Sequence, residues 1–151
     1  MGTADSLRTA LAAAAHRSDR GAAAEEMATL IRSYGSYRWV GIYEVGDHDI
    51  YVLGWSGPNA PAVPRFARNQ GLCGWAVASR AAVSVDDVTK DPDYLTTLDS
   101  TRSEIVMPAL SETRQPIGLI DVESEKPAAF SAEDRDLLGA CAGAISPLWQ
   151  R

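Results

Sequence analysis

The chain has 151 residues, 46% of them hydrophobic and 23% charged, which describes one globular domain with a sizeable core and leaves little length for a second. Its 14 Lys and Arg against 20 Asp and Glu give a net charge of −6 and a pI near 4.8. The basic residues are scattered singly among the acids, so the surface repels phosphate and nucleic acid is not expected as a partner.

The Ala-rich stretch from Ser6 to Ala15 predicts a helix, and after a polar break at Ser18 and Asp19 a second helix reaches Tyr34, with Gly35 as its stop. In that second helix Met27, Leu30, Ile31 and Tyr34 fall at i, i+3, i+4 and i+7 and form one core-facing stripe. The first helix offers little beyond Leu7 and Leu11 to a core, which makes it a candidate for packing on a partner chain. Residues 1–20 are therefore read as a helical extension ahead of a single domain over 21–151, with a homodimer formed through the terminal helices.

From Tyr37 the period changes. Arg38 to Val45 is rich in aromatic and β-branched residues, and a second apolar run, Ile50 to Trp55, follows a short polar connection, which predicts a β-hairpin. Gly57, Pro58, Pro61 and Pro64 make a loop before a candidate third strand at Arg65, Phe66 and Ala67. Gly71 to Ala78 reads as a glycine-rich turn entering a short helix, and Ala82 to Val85 as a brief strand. The polar segment from Asp86 to Arg102 is too long for a connector and is read as a functional loop or lid. Glu104 to Leu110 and Pro116 to Ser124 form another hairpin, and Ser131 caps a last helix with Glu133 and Asp134 in its first turn and a stripe of Leu137 or Leu138, Cys141, Ile145 and Leu148. This order of elements is α+β around a mostly antiparallel sheet.

The longest uncharged stretches, Tyr51 to Pro64 and Leu137 to Gln150, fall short of the roughly 18 apolar residues a membrane span needs. Asp5, Arg8, His16 and Arg17 interrupt the start before a secretory apolar region forms, so the expected location is the cytoplasm, with no membrane partner. Two cysteines, Cys73 and Cys141, exclude a disulfide framework or a CxxC metal site, and His16 and His48 have no partners at ligand spacing. No metal and no cofactor is expected.

Candidate chemistry gathers on the strands. Ile117, Leu119, Asp121 and Glu123 share one face by alternation, so two carboxylates stand side by side, and Glu104 at the start of the neighbouring strand can join them. Three acids around one pocket suit a cation such as an α-ammonium group. Trp39, Gly41 and Tyr43 also share a face, leaving room over Gly41 for a ligand between two aromatic rings that add cation–π attraction. Against this stands the plainer reading that acids at strand ends face water and strand aromatics are core. Cys73 likewise has two readings, a thiolate favoured by a helix N-terminus or a buried small hydrophobe, whereas Cys141 lies on an apolar stripe.

In chain order, Trp39-Val-Gly-Ile-Tyr43, Tyr51-Val-Leu-Gly54, Gly71-Leu-Cys-Gly74, Ser103-Glu-Ile-Val-Met-Pro108, Ile117-Gly-Leu-Ile-Asp-Val-Glu-Ser124 and Phe130-Ser-Ala-Glu-Asp134 resemble the GAF domain, and more narrowly its free methionine-(R)-sulfoxide reductase branch. The resemblance runs from about Ala22 to the C-terminus. It implies a central antiparallel sheet with the N- and C-terminal helices on one side and a ligand pocket under loops on the other. It also implies ligand-binding roles for Trp39, Tyr43, Glu104, Asp121 and Glu123, although family members usually carry Asp where Glu123 stands. The family's reaction is attack of a cysteine thiolate on the sulfoxide sulfur, followed by a disulfide that thioredoxin reduces.

One family cysteine matches Cys73. The nucleophile belongs in the loop before Ser103-Glu104, where this chain has Leu95-Thr-Thr-Leu-Asp-Ser-Thr-Arg102 with Thr97 nearest the expected place, and the resolving cysteine belongs before Arg65, where Ala62, Val63 and Pro64 stand. Asp91, Tyr94 and Thr97 are the expected lid residues. A threonine hydroxyl lacks the redox chemistry of a thiolate, so the resemblance implies a small-molecule-binding protein, a non-catalytic sensor for an amino-acid-like or cationic metabolite. Two alternatives are a divergent reductase using Cys73, its only candidate catalytic residue, and a structural dimerisation module with a vestigial pocket.

Overall fold

In the computed structural model, which describes residues 3–92 and 100–150, strand β1 spans Trp39–Val45 and its first five residues are all buried. Its sequence does not alternate apolar with polar because both faces are covered: Val40 and Ile42 enter one buried cluster, Trp39 and Tyr43 another. β2 (Asp49–Ser56) returns antiparallel to β1, and β3 (Arg65–Ala67) pairs with the outer edge of β2. On the other side of β1 lie β6 (Pro116–Ser124), then β5 (Ser103–Leu110) and β4 (Val83–Val85), so the six-stranded antiparallel sheet runs β3-β2-β1-β6-β5-β4. Both predicted hairpins are present, and they join through β1 and β6.

Helices α1 (Ala4–Ala14), α2 (Arg20–Gly35) and α4 (Ala132–Ile145) cover one face. Their buried residues, among them Met27, Ile31, Leu138 and Ile145, meet Val40, Ile42, Ile105, Ile120 and Val122 of the sheet. Leu7 and Leu11 of α1 join this same cluster, so the apolar side of that helix is covered within the chain. Each of these three helices begins on a side-chain cap: Thr3 accepts from the Ser6 N–H, Asp19 from that of Ala22, and Ser131 and Asp134 close a reciprocal capping box. Such caps are worth about 1 kcal/mol each. The stop of α2 differs from expectation. Gly35 is its last helical residue, and Ser36 takes the left-handed conformation (φ 56°) that returns an N–H to the Arg32 carbonyl.

The opposite face is packed by α3 (Gly71–Ser79) and by the approaches to the long loop. Leu72, Cys73, Ala76 and Val77 of α3, with Val88 from a single 3-10 turn at Val88–Lys90, lie over Tyr43, Phe66, Val106 and Leu119. Ile117 does not share this face as strand alternation predicted. It is half-buried and packs with the helical layer, beside Gly118, which has Trp149 against it. Among the described residues no helix is long and apolar enough to cross a membrane.

Candidate functional site

Strand pairing assembles three carboxylates on the α3 side of the sheet. Glu104 of β5 stands in register with Glu123 of β6, and Asp121, two residues earlier on β6, is opposite Val106 on β5 and Gly41 on β1. Their relative exposures are 3%, 1% and 1% for Glu104, Asp121 and Glu123. One oxygen of each lies within 4.8 Å of the others. The plainer reading, acids at strand ends turned to water, does not hold for any of the three.

Burial and proximity set their protonation. Two ionised carboxylates about 4 Å apart repel by about 4 kcal/mol even at an effective dielectric of 20, so the three do not all carry charge in an unliganded site. Burial, and then the charge of Glu123, pushes the Glu104 carboxyl well above its ordinary value. Burial and then Glu104 do the same to Asp121. Asp121 Oδ1 is buried and receives no hydrogen bond. Glu123 differs in having a hydroxyl donor: buried Thr101 donates from Oγ1 to Glu123 Oε1 at 2.7 Å.

The aromatic pair is also brought here. Trp39 is fully buried and fixed by its Nε1–H donating to the Asn59 carbonyl at 3.0 Å, and Tyr43 lies with its ring centroid 6.0 Å from that of Phe66. Burial and then Asp121 push the Tyr43 hydroxyl well above its ordinary value, which keeps it a neutral donor. The expected room over Gly41 is absent. A Cβ at Gly41 would stand 2.5 Å from Trp39 Cη2 and 2.8 Å from Tyr43 Cε1, so the two rings already close over the glycine. Side chains two residues apart on one strand face meet when the residue between them offers no Cβ to hold them apart.

Cys73 is the third residue of α3, entered through Gly71 at φ 70°, a left-handed conformation that favours glycine. Its reactive reading meets an unfavourable environment. The thiol is 6% exposed, and burial, followed by the charges of Asp121, Glu104 and Glu123, pushes it well above its ordinary value. Three neighbouring acids outweigh one helix N-terminus in setting the charge preference of that sulfur. Cys141, in the helical layer, is likewise raised by burial, to about 11.

Tyr43, Val63, Phe66, Gln70, Gly71, Leu72, Cys73, Glu104 and Asp121 line a cavity of about 10 Å³, space for about one water. A larger guest therefore enters only as these side chains move. The Asp91 N–H donates to the Val88 carbonyl at 3.1 Å, and the charge of Asp91 adds to the elevation of Glu104. Tyr94 and Thr97, the other expected lid residues, lie outside the described residues. Larger hollows of about 590 Å³ beside α1 and α4 and about 530 Å³ beside α3 are surface grooves without a buried polar cluster. The carboxylates offer oxygen donors of the kind an ammonium group or a metal ion takes.

Sequence reasoning missed Thr101 as a partner of Glu123. The sequence brackets it between the long loop and β5, but only the pairing of the Arg102 N–H with the Ser124 carbonyl, at 2.8 Å, places it beside that carboxylate. It also missed Val88, which is buried in the apolar cluster on the same face of the sheet.

An antiparallel sheet layered between terminal helices on one face and an enclosed polar site beneath a short helix on the other defines a ligand-binding fold. Residues 19–146 match the GAF domain family, and the chain belongs to it. It is 34% identical over 104 residues to GAF domain-containing protein A of Dictyostelium discoideum, covering 68% of this chain and 64% of that protein. It is 29% identical over 111 residues to the free methionine-R-sulfoxide reductase of Saccharomyces cerevisiae, covering 72% of this chain and 61% of that one. The match thus spans under two thirds of the length of both relatives. Among solved structures, the free methionine-R-sulfoxide reductase of Neisseria meningitidis in complex with its substrate superposes with a TM-score of 0.82 at 29% identity, covering 99% of this chain and 92% of that one.

Proposed function

We propose that this GAF domain is a sensor for a small zwitterionic or cationic metabolite, an amino acid or a close derivative, and that it does not reduce its ligand. The observation that carries this reading is the buried triad of Glu104, Asp121 and Glu123, one oxygen of each within 4.8 Å of the others. An ammonium group offers three N–H donors and a positive charge, which is the complement of three converging acceptors. Its arrival supplies the donor that Asp121 Oδ1 lacks and turns mutual repulsion into attraction. Trp39 and Tyr43 stand on the same sheet face to pack the apolar part of the guest. Calorimetric titration with L-methionine, its sulfoxides and a panel of amino acids tests the reading. Saturable binding of an amino acid is expected, and loss of it in Asp121→Asn; no heat from any of the panel removes the reading.

The second reading, a divergent free methionine-(R)-sulfoxide reductase working through Cys73, is favoured by the named activity of relatives such as the yeast and Neisseria proteins. The elevated Cys73 thiol weighs against it. Turnover of free methionine-(R)-sulfoxide with dithiothreitol, lost in Cys73→Ser, would establish it over the sensor reading.

A further inference from the structure

We infer that Thr101 is the positioning residue that makes Glu123 the anionic anchor of the ligand site. The inference deepens the proposed function and rests on the reading that the ligand carries a positive charge. It starts from an asymmetry within the triad. Thr101 Oγ1 donates to Glu123 Oε1 at 2.7 Å, inside the buried cluster, and a hydroxyl donor stabilises a carboxylate in its charged form. Burial pushes the carboxyls of the other two, Glu104 and Asp121, well above their ordinary values. A hydroxyl donor on one acid, beside two whose carboxyls are raised by burial, favours placing the charge offered to an entering cation at the fixed position of Glu123.

The hydroxyl is held by the fold and not by the loop alone. The Arg102 N–H donates to the Ser124 carbonyl at 2.8 Å, and the Val88 N–H donates to the Arg102 carbonyl at 2.7 Å. These bonds clamp the chain next to Thr101 between β6 and the 3-10 turn, which fixes the Thr101 backbone against the strand that carries Glu123. The titratable groups facing the cluster are Glu104 from β5, Asp121 from β6, Tyr43 from β1, Cys73 from α3 and Asp91 from the loop stem. All are acidic or neutral, so a hydroxyl donor bears directly on where the negative charge settles.

The test is calorimetric titration of L-methionine-(R)-sulfoxide into the full chain and into Thr101→Val, Thr101→Ala and Thr101→Ser, from pH 5.5 to 8.5. The two hydroxyl-free variants, of which Ala serves if Val fails to fold, are expected to bind about tenfold more weakly at pH 7. Their rise of affinity with pH is expected to move to higher pH, and Thr101→Ser is expected to restore both. Unchanged affinity, a weakening with no displacement of the pH profile, or a Ser variant as weak as Val overturns the inference while leaving the ligand reading in place. Absence of binding by the wild type overturns both.

Discussion

Gly41 of β1 stands directly opposite Asp121 of β6, and the missing side chain at the first lets Trp39 and Tyr43 close over the strand beside the second. The pair links backbone geometry to the site. A carboxylate is enclosed here partly because a glycine one strand away allows two large rings to meet.

Gly41→Ala tests that relationship. Its new Cβ would stand 2.5 Å from Trp39 Cη2, which forces the buried indole to shift. We expect a loss of about 1–3 kcal/mol in stability, the usual cost of overpacking a filled core. Urea unfolding measures it, and an unchanged midpoint would show that the rings yield without strain.

A carboxyl raised by burial, as at Glu104, costs the empty protein stability at neutral pH, so replacing it with a neutral amide stabilises the fold while removing the site. Glu104→Gln is expected to raise the melting temperature at pH 7 by several degrees and to abolish amino-acid binding, the trade expected of a functional charge cluster. A lower melting temperature together with retained binding would contradict both halves.

The same cluster fixes the sign of the pH dependence. Glu104 and Asp121 hold their protons more tightly folded than unfolded, so their contribution to stability is complete below the ordinary values of 4.5 and 3.8 and is lost as pH rises through the elevated folded values. Thermal melts should therefore show stability falling with rising pH above the acid range, a slope flattened in Glu104→Gln. Asp134 has the opposite sign. Burial opposes its charge, but the Ser131 N–H and the hydroxyls of Tyr37 and Ser131 prevail and hold it below 3.8, so its contribution is present above that value and lost as pH falls through the depressed one.

Tyr37→Phe isolates one of those donors. Tyr37 donates to Asp134 Oδ1 at 2.7 Å, joining the approach to β1 to the capping box of α4. Removing the hydroxyl should cost about 1–2 kcal/mol, as for a hydrogen bond to a charged group, and should shrink the loss of stability in acid. Denaturation at pH 7 and pH 3 checks both; equal losses at the two values would contradict the ionic character of the bond.

The elements were legible in the sequence because each has a local cause. Alanine runs, the polar break at Ser18 and Asp19 and the cap at Ser131 delimit helices, β-branched and aromatic runs specify strands, and Pro and Gly clusters end them. Alternation also put Asp121 and Glu123 on one face with Leu119. It failed at Ile117, where the irregular entry to β6 turns that side chain toward the helical layer.

What the sequence by itself determined was the class of fold, the acids available and the shortage of thiols, since these follow from residue identity and spacing along the chain. Tertiary structure alone decided that Glu104 meets Glu123 in register, that Thr101 donates to one of three acids, that two rings close over Gly41, and that Cys73 lies among carboxylates. Such relationships depend on which strands pair and at what offset. Pairing is set by the burial of two faces at once, a sum over distant contacts to which no short segment holds the key.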